Sequence, residues 1–243
     1  MKVRILGVGM GPQHVTAEVG AALRTCDYVV AAAKSADDDL LAVRRAIAEA
    51  SGVEVVPVPD PERDRDDPAD YPRAVAAWHQ ARVAAYESVL RERGGTAAFL
   101  VWGDPSLYDS TIRIVDGLSE RLPIDYDVLP GISAPQVLAA AHRIVLHPVG
   151  RPVHLTTGRR LRQSIAAGQT NLCVMLNAHL DLAGLDDWSI WWGANLGTDT
   201  QSLVAGRVGE VLEEIEAARI RVRREAGWVM DVYLLRAPTG RSS

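Results

Sequence analysis

The sequence predicts an α/β protein built as two domains, and three observations carry that expectation. In residues 1–131, short apolar runs alternate with helical stretches. Those runs are too continuously apolar to divide between a core and a wet face, which is the pattern of a parallel sheet covered on both sides. In residues 132–243, five strand-like runs accompany only two clear helices, the pattern of a second α/β domain with a mixed sheet. The length of 243 residues, at 48% hydrophobic and 23% charged, is ordinary for a globular chain of one large or two smaller domains.

The elements follow in order. Val3–Val8 reads as a buried strand running into a glycine-rich turn, followed by a helix over about 15–25 and a short apolar run at 28–31. Residues 38–50 have helical spacing, with Leu41, Ile47 and Ala48 on one face, and Val53–Val58 reads as the next strand. Asp60–Asp70 is a polar insertion whose six acids and three prolines (the first, Pro59, just before it) make it a loop. A long helix is expected from about Pro72, well placed in a first turn, to Arg93, stopped by Gly94-Gly95. Thr96–Trp102 reads as a buried strand, 107–121 as a helix and Asp125–Leu129 as a strand closed by Pro130-Gly131. Beyond a join within 131–150, strands are expected at 153–156, 172–176, 190–192, 202–205 and 228–234, with helices at 160–167 and 208–219.

Composition excludes several classes. The net charge of −5, from 26 basic and 31 acidic residues, argues against whole-surface capture of nucleic acid. Cys26 and Cys173 are too far apart in sequence to suggest a metal motif or a disulfide framework, and the six histidines have no ligand spacing. No apolar run approaches the roughly 20 residues of a membrane span, and the N-terminus lacks the pattern of a signal peptide, so a cytoplasmic protein is expected.

Three glycine-bearing turns each follow an apolar strand in the first half. Gly7-Val8-Gly9-Met10-Gly11-Pro12 is not the dinucleotide fingerprint, because Pro12 replaces the last glycine and no acid ends the second strand. It is either a tight turn or a ligand loop. Gly103-Asp104-Pro105 ends an internal strand, where open α/β sheets bind ligands, and Asp104 is either a helix cap or part of a site. Pro130-Gly131-Ile132-Ser133 follows a third strand, with Ser133 placed to cap the next helix.

Taken together, in this order and spacing, Gly7-Val8-Gly9-Met10-Gly11, Gly103-Asp104-Pro105-Ser106-Leu107-Tyr108 and Val128-Leu129-Pro130-Gly131-Ile132-Ser133-Ala134 resemble the tetrapyrrole methyltransferase family. The resemblance implies two α/β domains with S-adenosylmethionine in the cleft between them, and a homodimer. It maps cofactor contacts onto Trp102, Gly103, Asp104, Leu107, Ser133, Ala134, Met175 and Gly197. Many members have proline where this chain has Met10 and Asp where it has Pro12, in a loop that faces the tetrapyrrole. Asp64-Arg65, Trp78-His79-Gln80-Ala81-Arg82, Tyr108-Asp109-Ser110-Thr111 and Asn177-Ala178-His179 are most similar to the branch that methylates C1 of a ring-contracted tetrapyrrole in cobalamin synthesis and releases acetate.

That chemistry requires in-line positioning of carbon, methyl and sulfur, exclusion of water, and, for deacetylation, a base and an oxyanion stabiliser. Asp104 is the expected base, with Tyr108, Asp109 and His79 as further candidates. No metal is required. A substrate bearing many acetate and propionate groups calls for arginine partners, and Arg63, Arg65, Arg82 and Arg113, with His79, are the expected substrate residues. The insertion is either a lid or a solvated face. Arg219, Arg221, Arg223 and Arg224 are expected at a solvent-facing helix end, and Trp188, Trp191 and Trp192 in packing. Rival readings are a methyltransferase for another ring carbon, the family's ribosomal RNA ribose and diphthamide-forming activities, and a non-catalytic nucleotide-binding protein.

Overall fold

The computed structural model describes residues 1–33, 39–61 and 71–238. The chain divides into two units, Met1–Ser133 and Ala134–Ser243.

The first unit carries strands β1 (Lys2–Gly7), β2 (Tyr28–Ala33), β3 (Glu54–Pro59), β4 (Thr96–Val101) and β5 (Asp125–Leu129). They form one parallel sheet in the order β3-β2-β4-β1-β5. The connecting helices are α1 (Ala17–Leu23), α2 (Asp39–Ala50), α3 (Tyr71–Arg93) and α4 (Thr111–Ser119). Val3, Ile5, Val30, Phe99 and Val101 pack with Val83, Tyr86 and Leu90 of α3 and Ile114 and Leu118 of α4. Leu6, Val29, Ala98 and Leu100 pack on the other face with Val19 and Leu23 of α1 and Ile47 of α2. Both faces of the sheet are therefore covered, which is why its strands read as unbroken apolar runs. Thr16 starts α1 by accepting the Val19 N–H at 3.2 Å.

β3 lies at an edge and carries Pro57 and Pro59. The Asp60 N–H donates to Ala33 O of β2 at 3.0 Å. Backbone groups alternate sides along a strand, so the proline nitrogens face the open edge, where no ladder bond is lost.

The second unit holds α5 (Ala134–His142), β6 (His154–Thr157), α6 (Leu161–Ala166), β7 (Asn171–Met175), β8 (Ser189–Ala194), β9 (Ser202–Arg207), α7 (Val208–Ala226) and β10 (Asp231–Arg236). Its sheet runs β6-β7-β10-β8-β9, parallel between β6 and β7 and antiparallel elsewhere. Leu161, Leu172, Trp192, Ile215, Ala218, Val222 and Tyr233 form its core. The expected two-part α/β architecture, parallel then mixed, is thus observed.

The bounds of α4 and α7 depart furthest from the sequence reading. α4 begins at Thr111 rather than 107, because Asp104 and Asp109 take the N–H groups of Ser106 and Thr111 and Tyr108 turns to φ 54°. α7 runs to Ala226, two turns past 219, and ends at Gly227, whose φ of 74° is the left-handed cap. Arg219 therefore sits inside a helix with its side chain mostly buried, which corrects its assignment to a solvent-facing end.

The glycines at the exits of β1 and β5 are fixed by closeness rather than by φ. A Cβ on Gly7 would stand 2.5 Å from Gly131 N and 2.9 Å from Pro105 Cδ, and one on Gly131 would collide with Gly103 O. Gly131→Ala should lower the unfolding free energy by about 2–4 kcal/mol in denaturant titration. Gly20→Ala, inside α1 with only the end of Arg24 near, should raise it by about 0.5–1 kcal/mol.

Candidate functional site

β1 lies between β4 and β5, so parallel pairing alone brings the three glycine-bearing turns to one end of the sheet. Gly9 and Gly103 form a two-way bridge, Gly103 N–H to Gly9 O at 2.8 Å and Gly9 N–H to Gly103 O at 3.2 Å. Both have positive φ, 69° and 75°. Asp104 then ties the second turn to the third. Its Oδ2 accepts the Gly131 N–H at 2.9 Å, and its Oδ1 accepts the Ser106 N–H at 2.8 Å and the Ser106 hydroxyl. Partial burial works to raise its carboxyl pKa, but the hydrogen bonds from Ser106 and Gly131 outweigh it and hold the group below the usual carboxylate range. A carboxylate with both oxygens engaged is a weak proton acceptor. Asp104 is also not a helix cap, since α4 starts seven residues later.

Of the expected cofactor residues, Trp102, Gly103, Asp104, Leu107 and Ser133 all lie on these turns, with Ser133 buried. Two buried ring nitrogens, Trp102 Nε1 and His14 Nδ1, have no hydrogen-bond partner among the described residues. Ala134 opens α5 of the second unit. Met175 ends β7, and Gly197 follows β8. The exits of β7 and β8 share an edge of the second sheet with the start of β10, because Val174 pairs with Tyr233 and Ala194 with Asp231. Two residues in left-handed geometry mark that edge, Leu176 at φ 55° and Asn195 at φ 45°. Such angles are uncommon outside glycine, and Leu176 is 61% exposed. Asn177 Oδ1, beside it, is buried without a hydrogen-bond partner among the described residues. Trp102 thus leaves an open hydrogen-bond donor in the first unit, and Asn177 an open acceptor in the second.

The expected substrate residues separate into groups. Arg63 and Arg65 lie outside the described residues. Arg82 donates from Nε to Asp60 Oδ1 at 2.7 Å and stacks on the Trp78 ring at 4.1 Å, while His79 lies against Trp78 with ring centroids 5.3 Å apart. Arg113 is exposed on α4 and donates to Asp109 O at 3.1 Å. Tyr108 is 43% exposed on the turn after Asp104. Sequence reasoning missed a polar cavity of about 110 Å³ at the ends of β2 and β4, lined by Arg44, Arg82, Tyr86, Asp109 and Thr111. Arg44 is anchored there by Nε to Leu100 O at 2.9 Å. Burial pushes the Tyr86 phenol pKa up, against the lowering effect of Arg82 and Arg44, so it is a donor at neutral pH. Among the described residues no cluster of His, Cys, Asp or Glu could hold a metal, and no helix is long and apolar enough to cross a membrane.

Known proteins resemble the chain along nearly its whole length. The family model for Tetrapyrrole (Corrin/Porphyrin) Methylases matches residues 2–212. A precorrin-6A synthase [deacetylating] from Sinorhizobium sp is 42% identical over 252 residues, spanning 97% of this chain and 95% of the relative. The crystal structure of a cobalamin synthesis related protein (CobF) from Corynebacterium diphtheriae aligns with a TM-score of 0.84 at 37% identity, over 98% of this chain and 100% of that one. A uroporphyrin-III C-methyl transferase from Thermus thermophilus, complexed with S-adenyl homocysteine, shares the fold at TM-score 0.60 and 16% identity, over 97% and 92% of the two chains.

Asp104→Asn leaves the N–H groups of Gly131 and Ser106 competing for one oxygen. It should cost about 1–3 kcal/mol of unfolding free energy at pH 7. Because the native carboxyl pKa is depressed, the stability it contributes is present above the ordinary aspartate value of about 4 and is lost as pH falls through the native value. The gap between wild type and variant should therefore narrow in denaturant titrations as pH is taken below the ordinary aspartate range.

Proposed function

The chain belongs to the tetrapyrrole (corrin/porphyrin) methylase family, and from that premise we propose that it is an S-adenosylmethionine-dependent C1-methyltransferase of cobalamin biosynthesis, converting precorrin-5 to precorrin-6A with release of acetate. The observation that carries the reading is the full-length similarity to a deacetylating precorrin-6A synthase, at 42% identity. The knitted turns of the parallel sheet, with their open donor at Trp102, support a methyl-donor site. The substrate is a tetrapyrrole in solution, the protein works in the cytoplasm, and it forms a homodimer.

S-adenosylmethionine supplies an activated methyl on sulfur, so the protein's own task is alignment and exclusion of water. The residues that hold the donor in this reading are Trp102, Gly103, Asp104, Leu107, Ser133, Ala134, Met175 and Gly197. In the deacetylation, water adds to the acetyl carbonyl and passes a proton to a base, for which His79 and Asp109 are the candidates. The bond between C1 and the acetyl carbon breaks with its electron pair left on C1 and acetate departs; that pair would form the bond to the methyl carbon as the methyl–sulfur bond breaks and leaves S-adenosylhomocysteine.

The roles of the two residues expected to be catalytic divide. Asp104, with both oxygens bound, organises the loops. Tyr108, presented at φ 54° and 43% exposed, is the phenol donor to the acetyl oxygen as negative charge develops there. Arg82 and Arg113, together with His79 and the Arg44 cavity, meet substrate carboxylates; Arg63 and Arg65 complete the set.

Mass spectrometry of the purified protein with precorrin-5 and methyl-labelled S-adenosylmethionine, with acetate assayed in parallel, tests the assignment. One labelled methyl per acetate is the expected result. Label without acetate would move the enzyme to another ring carbon, and neither signal, with donor binding intact, would refute a tetrapyrrole substrate. Tyr108→Phe should slow acetate release by about 10²–10³-fold with the affinity for S-adenosylhomocysteine unchanged.

A further inference from the structure

The second unit contains a buried charge pair that the proposed chemistry does not use. Asp231 opens β10 with its side chain 1% exposed, and its Oδ2 lies 2.8 Å from Arg219 Nε of α7. The same oxygen accepts the Trp192 Nε1–H of β8 at 3.0 Å. Burial pushes the Asp231 carboxyl pKa up, and Arg219, Trp192 and Asn177 oppose that rise. Sealing two charges from water is expensive, and a pair of this kind is commonly no more stabilising than apolar side chains of the same size. Holding β8, β10 and α7 together therefore does not by itself account for it.

The remaining contacts of the pair supply the account. Arg219 Nη2 donates to Asn177 O at 3.0 Å and to Ala178 O at 3.4 Å. Asn177 Nδ2 in turn donates to Asp231 O at 3.2 Å. The ladder between β7 and β10 stops at Val174–Tyr233, so the carbonyls of 177 and 178 lie beyond it. They follow Leu176, which holds a left-handed angle that a leucine adopts only when its surroundings impose it. Arg219 Nη2 reaches both carbonyls, while the Asp231 carboxylate, held by Trp192, lies against Nε as a charge contact.

We infer that Arg219, braced by Asp231, is a positioning residue that fixes the exit of β7, Met175–Ala178, in the shape that receives the methyl donor. The inference rests on the reading of Met175 as a donor contact. Neither residue touches the donor; both act through the backbone of the turn.

The test uses the full chain and S-adenosylhomocysteine as the probe, with calorimetric affinity, thermal midpoint and the separate KM values read together. Arg219→Met with Asp231→Asn removes both charges at near-constant volume and leaves Trp192 an acceptor. It should keep the thermal midpoint within a few degrees of wild type while weakening the probe at least tenfold. The KM for S-adenosylmethionine should rise in step, and the KM for the tetrapyrrole should stay put. Arg219→Lys keeps one positive charge, but its single nitrogen cannot face Asp231 and the two carbonyls at once as Nε and Nη2 do, and should weaken the probe by a smaller factor, about threefold. Wild-type affinity in either folded variant would overturn the inference, so failure of the double variant to fold leaves the lysine variant to decide. Failure of the wild-type protein to bind the probe would instead remove the methyl-donor reading, and this inference with it.

Discussion

The first unit depends on the contact of three backbones at one end of its sheet. Gly7, Gly103 and Gly131 approach so closely that a single methyl group at the first or third has no room. Asp104 closes the arrangement by accepting N–H groups from both its own turn and the next. A parallel sheet delivers strand ends to a common edge but does nothing to knit the loops that leave them. Here the knitting is done by main-chain bonds and one carboxylate, so the surface offered to a ligand is mostly peptide. Such a surface needs little reorganisation when a charged ligand arrives, which is the condition for electrostatic preorganisation.

The second unit solves the same problem differently. Its sheet is mixed, and the residues that leave β7 and β8 in left-handed geometry, Leu176 and Asn195, carry side chains. Asn195 is held by its own amide, which accepts from Met230 N–H at 2.9 Å and donates toward Trp228 O. Leu176 depends on more distant groups, on α7 and at the start of β10. At the exit of β4 strain is avoided by the missing Cβ of Gly103, and at the exits of β7 and β8 it is countered with buried polar groups.

Most of the architecture was legible because it follows from apolar runs and glycine punctuation. The exclusion of a dinucleotide site followed from Pro12 and from Val29-Val30-Ala31-Ala32, an apolar end to the second strand. What escaped was set by long-range chemistry. No local signal announces that Tyr108 takes a positive φ and delays α4, since carboxylates on either side decide it. The length of α7 was readable, because Ile215, Ala218 and Val222 keep one face and Gly227 ends it, but the arginines drew attention to a helix end too early. Asp231, an acid inside the expected strand 228–234, finds its partner only in the folded chain, on α7. Arg44 gave no sign, because only folding places α2 over the end of β4.

The two prolines of β3 bear on how copies of this chain meet. An added strand would need amide hydrogens along the open edge of the first sheet, and Pro57 and Pro59 withhold them at alternate positions. Self-association by sheet extension is closed off on that side, in the crowded cell and in the test tube alike. Pairing of two copies across that edge must then be written in side chains, and its specificity can be altered without disturbing the backbone ladder inside.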